Sequence, residues 1–261
     1  LPELNTKSLL EKLSNKRKFV WIARNLSPQL QFEINQMGLP GLSFLQSEKR
    51  VYPHGRMAAH VLGLTNVDGK GLAGIEQQFD HHFSSGAGPI NLSLDSRVQS
   101  IIHEELARTV SEFKALGGAG LIMDVRNGEI LAMASLPDYD PNFPNEIKGD
   151  SGFNRTTKGI YEMGSSFKLF TVAAALDMNI ISFNNVYDAR KPIKVSRYRI
   201  NDYHAKKRWL SVPEIILYSS NIGAAKIGRD IGRESQKKYL SRFGLLTLPD
   251  IELPEISAPM L

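Results

Sequence analysis

The stretch Tyr161-Glu-Met-Gly-Ser-Ser-Phe-Lys168, which runs into the apolar Leu169-Phe-Thr-Val-Ala-Ala-Ala-Leu176, constrains this chain more than any other. It sets a hydroxyl and an amine three residues apart at the expected start of a buried helix. Residues at that spacing share one helix face, so Ser165 and Lys168 can touch. The segment that follows is apolar almost all round and would anchor them in a core. A serine can be made nucleophilic in this way without a histidine. The spelling alone selects nothing, because Ser-x-x-Lys also occurs at Ser111/Lys114 and Ser235/Lys238. Those two copies lie in charged segments expected to be solvated helices, where the lysine stays protonated. Only the neighbours of Lys168 promise desolvation.

With 261 residues the chain can bury a sizeable core, as one large domain with a smaller one or as a piece of something longer. A hydrophobic share of 42% and a charged share of 23% are those of a globular protein. The formal charge of +5 suits an anionic surface such as a membrane or wall polymer. No basic stripe interleaved with aromatics argues for nucleic acid. The absence of cysteine excludes disulfides and thiolate chemistry. No apolar run approaches the roughly 18 residues of a membrane span, and no signal peptide opens the chain. Leu1-Pro-Glu-Leu4 and Ala258-Pro-Met-Leu261 read as truncation at both ends.

Punctuation divides the chain. Residues from Thr6 predict a charged helical turn or two, then a strand at Phe19–Ala23, then an amphipathic segment from Ser27 to Met37 ended by Gly38. Gly69-Lys-Gly-Leu-Ala-Gly74 resembles a phosphate loop in composition but lacks the P-loop spacing. Ser84-Ser-Gly-Ala-Gly-Pro89 is the best linker and sets the expected domain boundary, giving domains 1–87 and 88–261. Asn91–Leu94 predicts a short strand. Asp95 then caps a helix with apolar residues at helical period from Val98 to Phe113. Leu121–Val125 and Glu129–Ala134 predict a hairpin across Arg126-Asn127-Gly128, since Asn-Gly accepts the positive φ angles of a tight turn. Asp188–Arg208 reads as a basic, irregular or short-stranded excursion. Ser211-Val-Pro-Glu214 opens a helix with a capping box. A break at Tyr218–Asn221 leads to a helix from Ile222, and a last helix covers Glu234–Arg242.

Several blocks in order resemble the class B penicillin-binding proteins, monofunctional transpeptidases that cross-link peptidoglycan. They are Arg50-Val-Tyr-Pro-His-Gly-Arg56 with His60-Val-Leu-Gly63, then Gly71-Leu-Ala-Gly-Ile-Glu76, then Asp124–Ser135 with Pro137-Asp-Tyr-Asp-Pro-Asn142, Tyr161–Lys168, and Tyr218-Ser-Ser-Asn-Ile-Gly223. The resemblance covers about Phe19 to Gly244. It implies an α/β (α+β) penicillin-binding transpeptidase fold, incomplete, in which residues 1–87 are part of a smaller mixed pedestal and 88–261 the first half of the transpeptidase domain. It makes Ser165 the residue acylated by a D-Ala-D-Ala stem peptide or by a β-lactam. Lys168 serves as its base if burial depresses the amine's pKa, a role disputed among relatives.

Ser219 and Asn221 match the family's Ser-x-Asn motif: the serine relays a proton to the departing amine, and the amide holds substrate and Lys168. Ser182-Phe-Asn184 has the same spelling but follows too closely on the catalytic helix. The bland reading of Ser219 and Asn221 is a cap for the next helix. The family's third motif, Lys-Ser/Thr-Gly, is absent from the 261 residues. The chain alone is therefore expected to acylate poorly, since losing one oxyanion donor costs about 10²–10³ in rate.

The resemblance further implies stem peptides and β-lactams as ligands, wall-synthesis or division proteins as pedestal partners, and no cofactor. It places the parent at the bacterial inner membrane, facing the periplasm or the outside, through an anchor absent from this chain. A serine β-lactamase and a non-catalytic β-lactam sensor or scaffold on the same fold are the rivals. His81-His82 lacks a third ligand at metal spacing. The cations Lys191, Lys194, Arg197, Arg199, Lys206, Lys207 and Arg208 read as a solvated face, or as a surface for anionic wall strands. Asp202 lies where relatives carry an acidic residue and takes no assigned role. Trp21 and Trp209 read as packing residues.

Overall fold

The computed structural model describes residues 5–14 and 18–259. The terminal residues 1–4 and 260–261, on which much of the expectation of truncation rests, lie outside the described residues. The described residues fall into two compact units, one within Leu1–Asn154 and Glu252–Pro254, the other within Arg155–Ile251 and Glu255–Leu261. Helices and short antiparallel strands are mixed in both, as the α/β expectation requires.

The first unit opens with α1 (Thr6–Ser14) and α2 (Pro28–Gln36). Ser27 caps α2 by accepting from the Leu30 N–H, and Pro28 occupies the first helical position, where a missing N–H costs nothing. Between these helices the expected strand at Phe19–Ala23 does not form; this stretch carries no ladder pairing. A short apolar run needs a neighbouring strand to become one.

A short helix α3 (Ala59–Leu62) leads into the antiparallel pair β1 (Leu64–Thr65) and β2 (Gly71–Ala73), then α4 (Gly74–Gln78) and α5 (Asp80–Ser84). The glycines that mimic a phosphate loop close this hairpin. A Cβ on Gly63, whose φ is +77°, would lie 1.8 Å from the Ala73 carbonyl oxygen. Only glycine permits that approach.

α6 (Ser96–Glu112) is capped by Asp95, whose carboxylate accepts from the N–H groups of Arg97 and Val98. It packs on the antiparallel hairpin of β3 (Gly118–Met123) and β4 (Ile130–Leu136). The Gln99 amide, 1% exposed, fastens helix to sheet: it donates to the Met57 and Met133 carbonyls and accepts from the Met133 N–H at 2.8 Å. Asn91–Leu94 is not a strand, although it runs beside β4, with the Asp95 N–H donating to the Leu131 carbonyl. The hairpin turn is wider than Asn-Gly predicts. Of the two central residues only Gly128 has positive φ, and its N–H bonds the Asp124 carbonyl at 2.8 Å. The Asp124 carboxylate, accepting from the Arg126 N–H and guanidinium, organises the loop instead.

The family-like block around Arg50 is structural. Tyr52 is buried and exchanges both of its backbone hydrogen bonds with the Asn142 side chain. Arg50 pairs with the buried Glu76 at 2.8 Å. Tyr139 donates to the Ala59 carbonyl inside a small core with Leu64.

The second unit is built on α7 (Phe167–Asp177), α8 (Val212–Leu217), α9 (Asn221–Ile231) and α10 (Arg233–Arg242). Four strands accompany them: β5 (Val186–Asp188) pairs with β8 (Trp209–Ser211), and β6 (Ile193–Val195) with β7 (Tyr198–Ile200). Their core gathers Val172, Ala175, Leu210, Ile215, Ile222 and Ile227. Ser211 and Glu214 form the expected capping box, and Arg208 adds an ion pair to Glu214 at 2.6 Å. Helix α7 is less enclosed than its sequence predicts. Val172, Ala174 and Ala175 face the core, whereas Phe167 and Leu169 are exposed. Ser165 precedes α7 in a single 3₁₀ turn, Gly164–Ser166, rather than standing in its first α-helical turn.

Candidate active site

Three side chains meet at the N-terminal end of α7. Lys168 Nζ lies 3.2 Å from Ser165 Oγ, 2.9 Å from Ser219 Oγ and 2.6 Å from the Ser219 carbonyl oxygen. The Ser219 hydroxyl donates to Ser165 Oγ at 2.8 Å, closing a triangle of hydroxyl, amine and hydroxyl. Three oxygens around Nζ match the three donors of an ammonium group. When the amine loses a proton, the freed lone pair can accept the Ser165 proton across the same 3.2 Å. Partial burial pushes the Lys168 pKa below that of an ordinary lysine, and the Asp202 carboxylate pulls it back up. The neighbours of Lys168 do desolvate it, although Ser165 itself is exposed.

The other two Ser-x-x-Lys copies form no such site. Ser111 and Lys114 are both exposed at the end of α6, and Lys238 is exposed on α10. The second Ser-x-Asn spelling is used locally, with Ser182 donating through its backbone N–H and hydroxyl to Asn185 Oδ1.

Ser219 sits in the break between α8 and α9 with φ at +53°, a left-handed conformation that a serine adopts only when held there. The holding groups are ones the sequence leaves without a role. Ser220, 1% exposed, caps α9 by accepting from the Gly223 N–H and donates its own hydroxyl to Asp202 Oδ2 at 2.8 Å. Asp202 Oδ1 accepts from the Ile222 N–H at 2.9 Å. The cap is thus Ser220, not Ser219 or Asn221, which leaves the Ser219 hydroxyl free to meet Lys168 and Ser165. Asn221 stands at the start of α9, and its amide donates to the Asn201 carbonyl at 2.8 Å and makes no hydrogen bond with Lys168 among the described residues. A serine directly before an apolar helix start is a visible capping signal. The reach of Asp202 across 18 residues is not.

Among the described residues no cluster of His, Asp and Glu can hold a metal; His82 Nε2 lies 3.0 Å from the Gly88 carbonyl. No described helix is long and apolar enough to cross a membrane. Arg190 lies over the Trp209 ring, and Arg24 over Trp21.

Comparison with known proteins agrees with this fold. Residues 118–260 match the penicillin binding protein transpeptidase domain, and residues 3–112 match the penicillin-binding protein dimerisation domain. The chain is 38% identical over 264 residues to the Caulobacter vibrioides protein named probable peptidoglycan D,D-transpeptidase FtsI, with all of this chain and 45% of that protein aligned. It is 30% identical over 255 residues to peptidoglycan D,D-transpeptidase FtsI of Escherichia coli K12, covering 88% of this chain and 43% of that one. The D,D-transpeptidase domain of a peptidoglycan glycosyltransferase from Eggerthella lenta superposes with a TM-score of 0.70 at 25% identity, over 81% of this chain and 51% of that structure. The chain spans about half the length of the curated relatives it matches. It belongs to the class B penicillin-binding proteins.

Proposed function

We propose that the protein cross-links peptidoglycan as a serine D,D-transpeptidase, with Ser165 as nucleophile. The observation that carries the reading is the Ser165–Lys168–Ser219 triangle, set on a turn that a buried serine and an aspartate hold in a left-handed conformation. The names of the relatives support the same reaction.

In this reading neutral Lys168 takes the Ser165 proton as Oγ attacks the carbonyl of the penultimate D-alanine of a stem peptide. The C–N bond to the terminal D-alanine breaks, and that residue leaves as an amine. Its proton arrives through Ser219, whose hydroxyl lies within hydrogen-bond distance of both Lys168 and Ser165. An amine of a second stem then attacks the Ser165 ester, forming the cross-link and returning the proton to the serine. The Ser165 N–H lies in the 3₁₀ turn ahead of α7 and supplies one oxyanion donor. Asn221 holds the substrate backbone. A β-lactam acylates the same oxygen by opening its ring. The 261 residues by themselves, with no Lys-Ser/Thr-Gly, acylate slowly.

Residues 1–87 are assigned to the pedestal, where wall-synthesis or division proteins dock, and 88–261 to the transpeptidase domain. The working location is the outer side of the inner membrane.

The test is labelling of the whole gene product with a fluorescent penicillin, with wall cross-linking measured in parallel. Ser165→Ala is expected to abolish both. Cross-linking that survives this substitution makes the protein a sensor or scaffold, and rapid turnover of the penicillin makes it a β-lactamase.

A further inference from the structure

The charge of this chain is concentrated in one segment. Residues 189–209 carry eight Lys or Arg and one Asp, a surplus of seven, whereas the whole chain has a surplus of five. The remainder is therefore slightly acidic. Within the segment, cations that serve the fold have carboxylate partners: Arg190 pairs with Asp188 at 2.9 Å and Arg208 with Glu214 at 2.6 Å. Among the described residues Lys191, Lys194, Arg197, Arg199, Lys206 and Lys207 form no ion pair. The one carboxylate inside the segment, Asp202, is occupied by Ser220 and the Ile222 N–H.

The unpaired cations are arranged, not scattered. Lys194 and Arg199 stand directly opposite each other in the β6–β7 register. Like charges at that position repel across a ladder, and this ladder is only three residues long. Arg197 lies over the Tyr198 ring, 5.1 Å from its centroid, and donates to the Tyr198 hydroxyl at 3.0 Å, which fixes the guanidinium at the hairpin tip. Lys194, Arg197, Tyr198, Arg199 and Pro192 line an open cleft of about 360 Å³ with no acidic side chain in it.

We infer that the β6–β7 hairpin is a docking surface for a linear polyanion bearing phosphate groups, which enters the cleft between Lys194, Arg199 and Arg197. Arginine forks donate to phosphate oxygens in pairs, and an anion between Lys194 and Arg199 removes their repulsion. A protein partner fits less well, because protein interfaces are depleted of charge at their centre and this patch is charged throughout. The surface is independent of the role of Ser165.

The test uses the whole gene product and end-labelled linear polyphosphate, with binding read by fluorescence anisotropy. Binding is expected to weaken with salt along a log–log slope of about −2, the value for three phosphate contacts on a flexible strand. Replacing Lys194, Arg197 and Arg199 together by Ser is expected to weaken it at least tenfold, on the order of the loss of those contacts. Replacing Arg233, Lys237 and Lys238 on α10 together by Ser, which removes the same number of charges, is expected to change it less than about twofold, as a non-specific charge effect would. A salt-independent signal, or equal loss in the α10 control, overturns the proposal. So does binding to phosphatidylglycerol vesicles without binding to polyphosphate. Should the triple variant fail to fold, acetylation of the unsubstituted chain decides. Polyphosphate is expected to protect Lys194 and not Lys238, and equal protection of the two overturns the proposal.

Discussion

Asp202 accepts a hydrogen bond from the hydroxyl of Ser220 at 2.8 Å, and through that bond a surface carboxylate governs the turn that presents Ser219. The same carboxylate takes the Ile222 N–H, so the residues on either side of Asn221 at the start of α9 are tied to one group. Asp202 touches none of the three triangle atoms and acts by position. Asp202→Ala is expected to destabilise the second unit by about 2–3 kcal/mol, the range for a hydrogen-bonded charged acceptor, and to slow acylation of the whole gene product at least tenfold. Asp202→Asn, which keeps one acceptor oxygen, is expected to recover much of the stability. Urea titrations and penicillin-labelling rates check both. Unchanged labelling in Asp202→Ala would remove the positioning role.

The pH dependence of acylation has a defined sign. Burial lowers the Lys168 pKa, so the neutral amine that accepts a proton accumulates as pH rises through a value below that of an ordinary lysine. The rate is therefore expected to climb along that limb. Asp202→Asn removes a negative charge that favours the ammonium, so the limb should move to lower pH. Lys168→Arg cannot deprotonate near neutrality and is expected to lose about 10²–10⁴ in rate with no rising limb. A Lys168→Arg enzyme with wild-type rates argues against the lysine as base.

Stability in acid should depend on Glu214. Its carboxyl is held at about 2, against an ordinary 4.5, first by the Arg208 guanidinium and then by the Ser211 N–H. A depressed carboxylate contributes stability that is fully present above 4.5 and lost as pH falls towards about 2. Glu214→Gln is expected to flatten the stability profile across that window. Circular dichroism melts between the two pH values check it, and a parallel decline in both proteins would contradict it.

Helix ends were legible because capping is local. Ser27, Asp95 and Ser211 each cap the helix that follows within three residues, and the sequence carries the whole interaction. The Ser165–Lys168 pairing was legible for the same reason. Features that depend on distant groups were not. Phe19–Ala23 is a continuous apolar run rich in strand-forming residues but has no pairing strand beside it. Arg126-Asn127-Gly128 reads as a tight Asn-Gly turn, whereas the Asp124 carboxylate, accepting from Arg126, organises a wider loop. Helix α7 reads apolar on every side, yet one side lies open. The Asp202–Ser220 bond spans 18 residues, so Asp202 stayed without a role and Ser220 passed as the neutral middle of Ser-x-Asn.

Backbone approach sets the tolerance of the β1–β2 hairpin. Gly63→Ala would place a methyl group 1.8 Å from the Ala73 carbonyl oxygen and force a side chain onto positive φ. The expected cost is on the order of 4 kcal/mol or failure to fold. Gly69→Ala meets no atom within 4 Å, and its expected cost is only that of its left-handed φ, about 1 kcal/mol. Comparative urea midpoints test the pair. Equal losses would show that conformation alone, and not the close approach, sets the cost at Gly63.

The most direct measurement is peptide mapping by mass spectrometry of the whole gene product after brief exposure to a penicillin. One acyl adduct is expected, on the peptide carrying Ser165, absent in Ser165→Ala and retained in Ser111→Ala and Ser235→Ala. An adduct on any other serine, or one that persists in Ser165→Ala, contradicts Ser165 as the nucleophile.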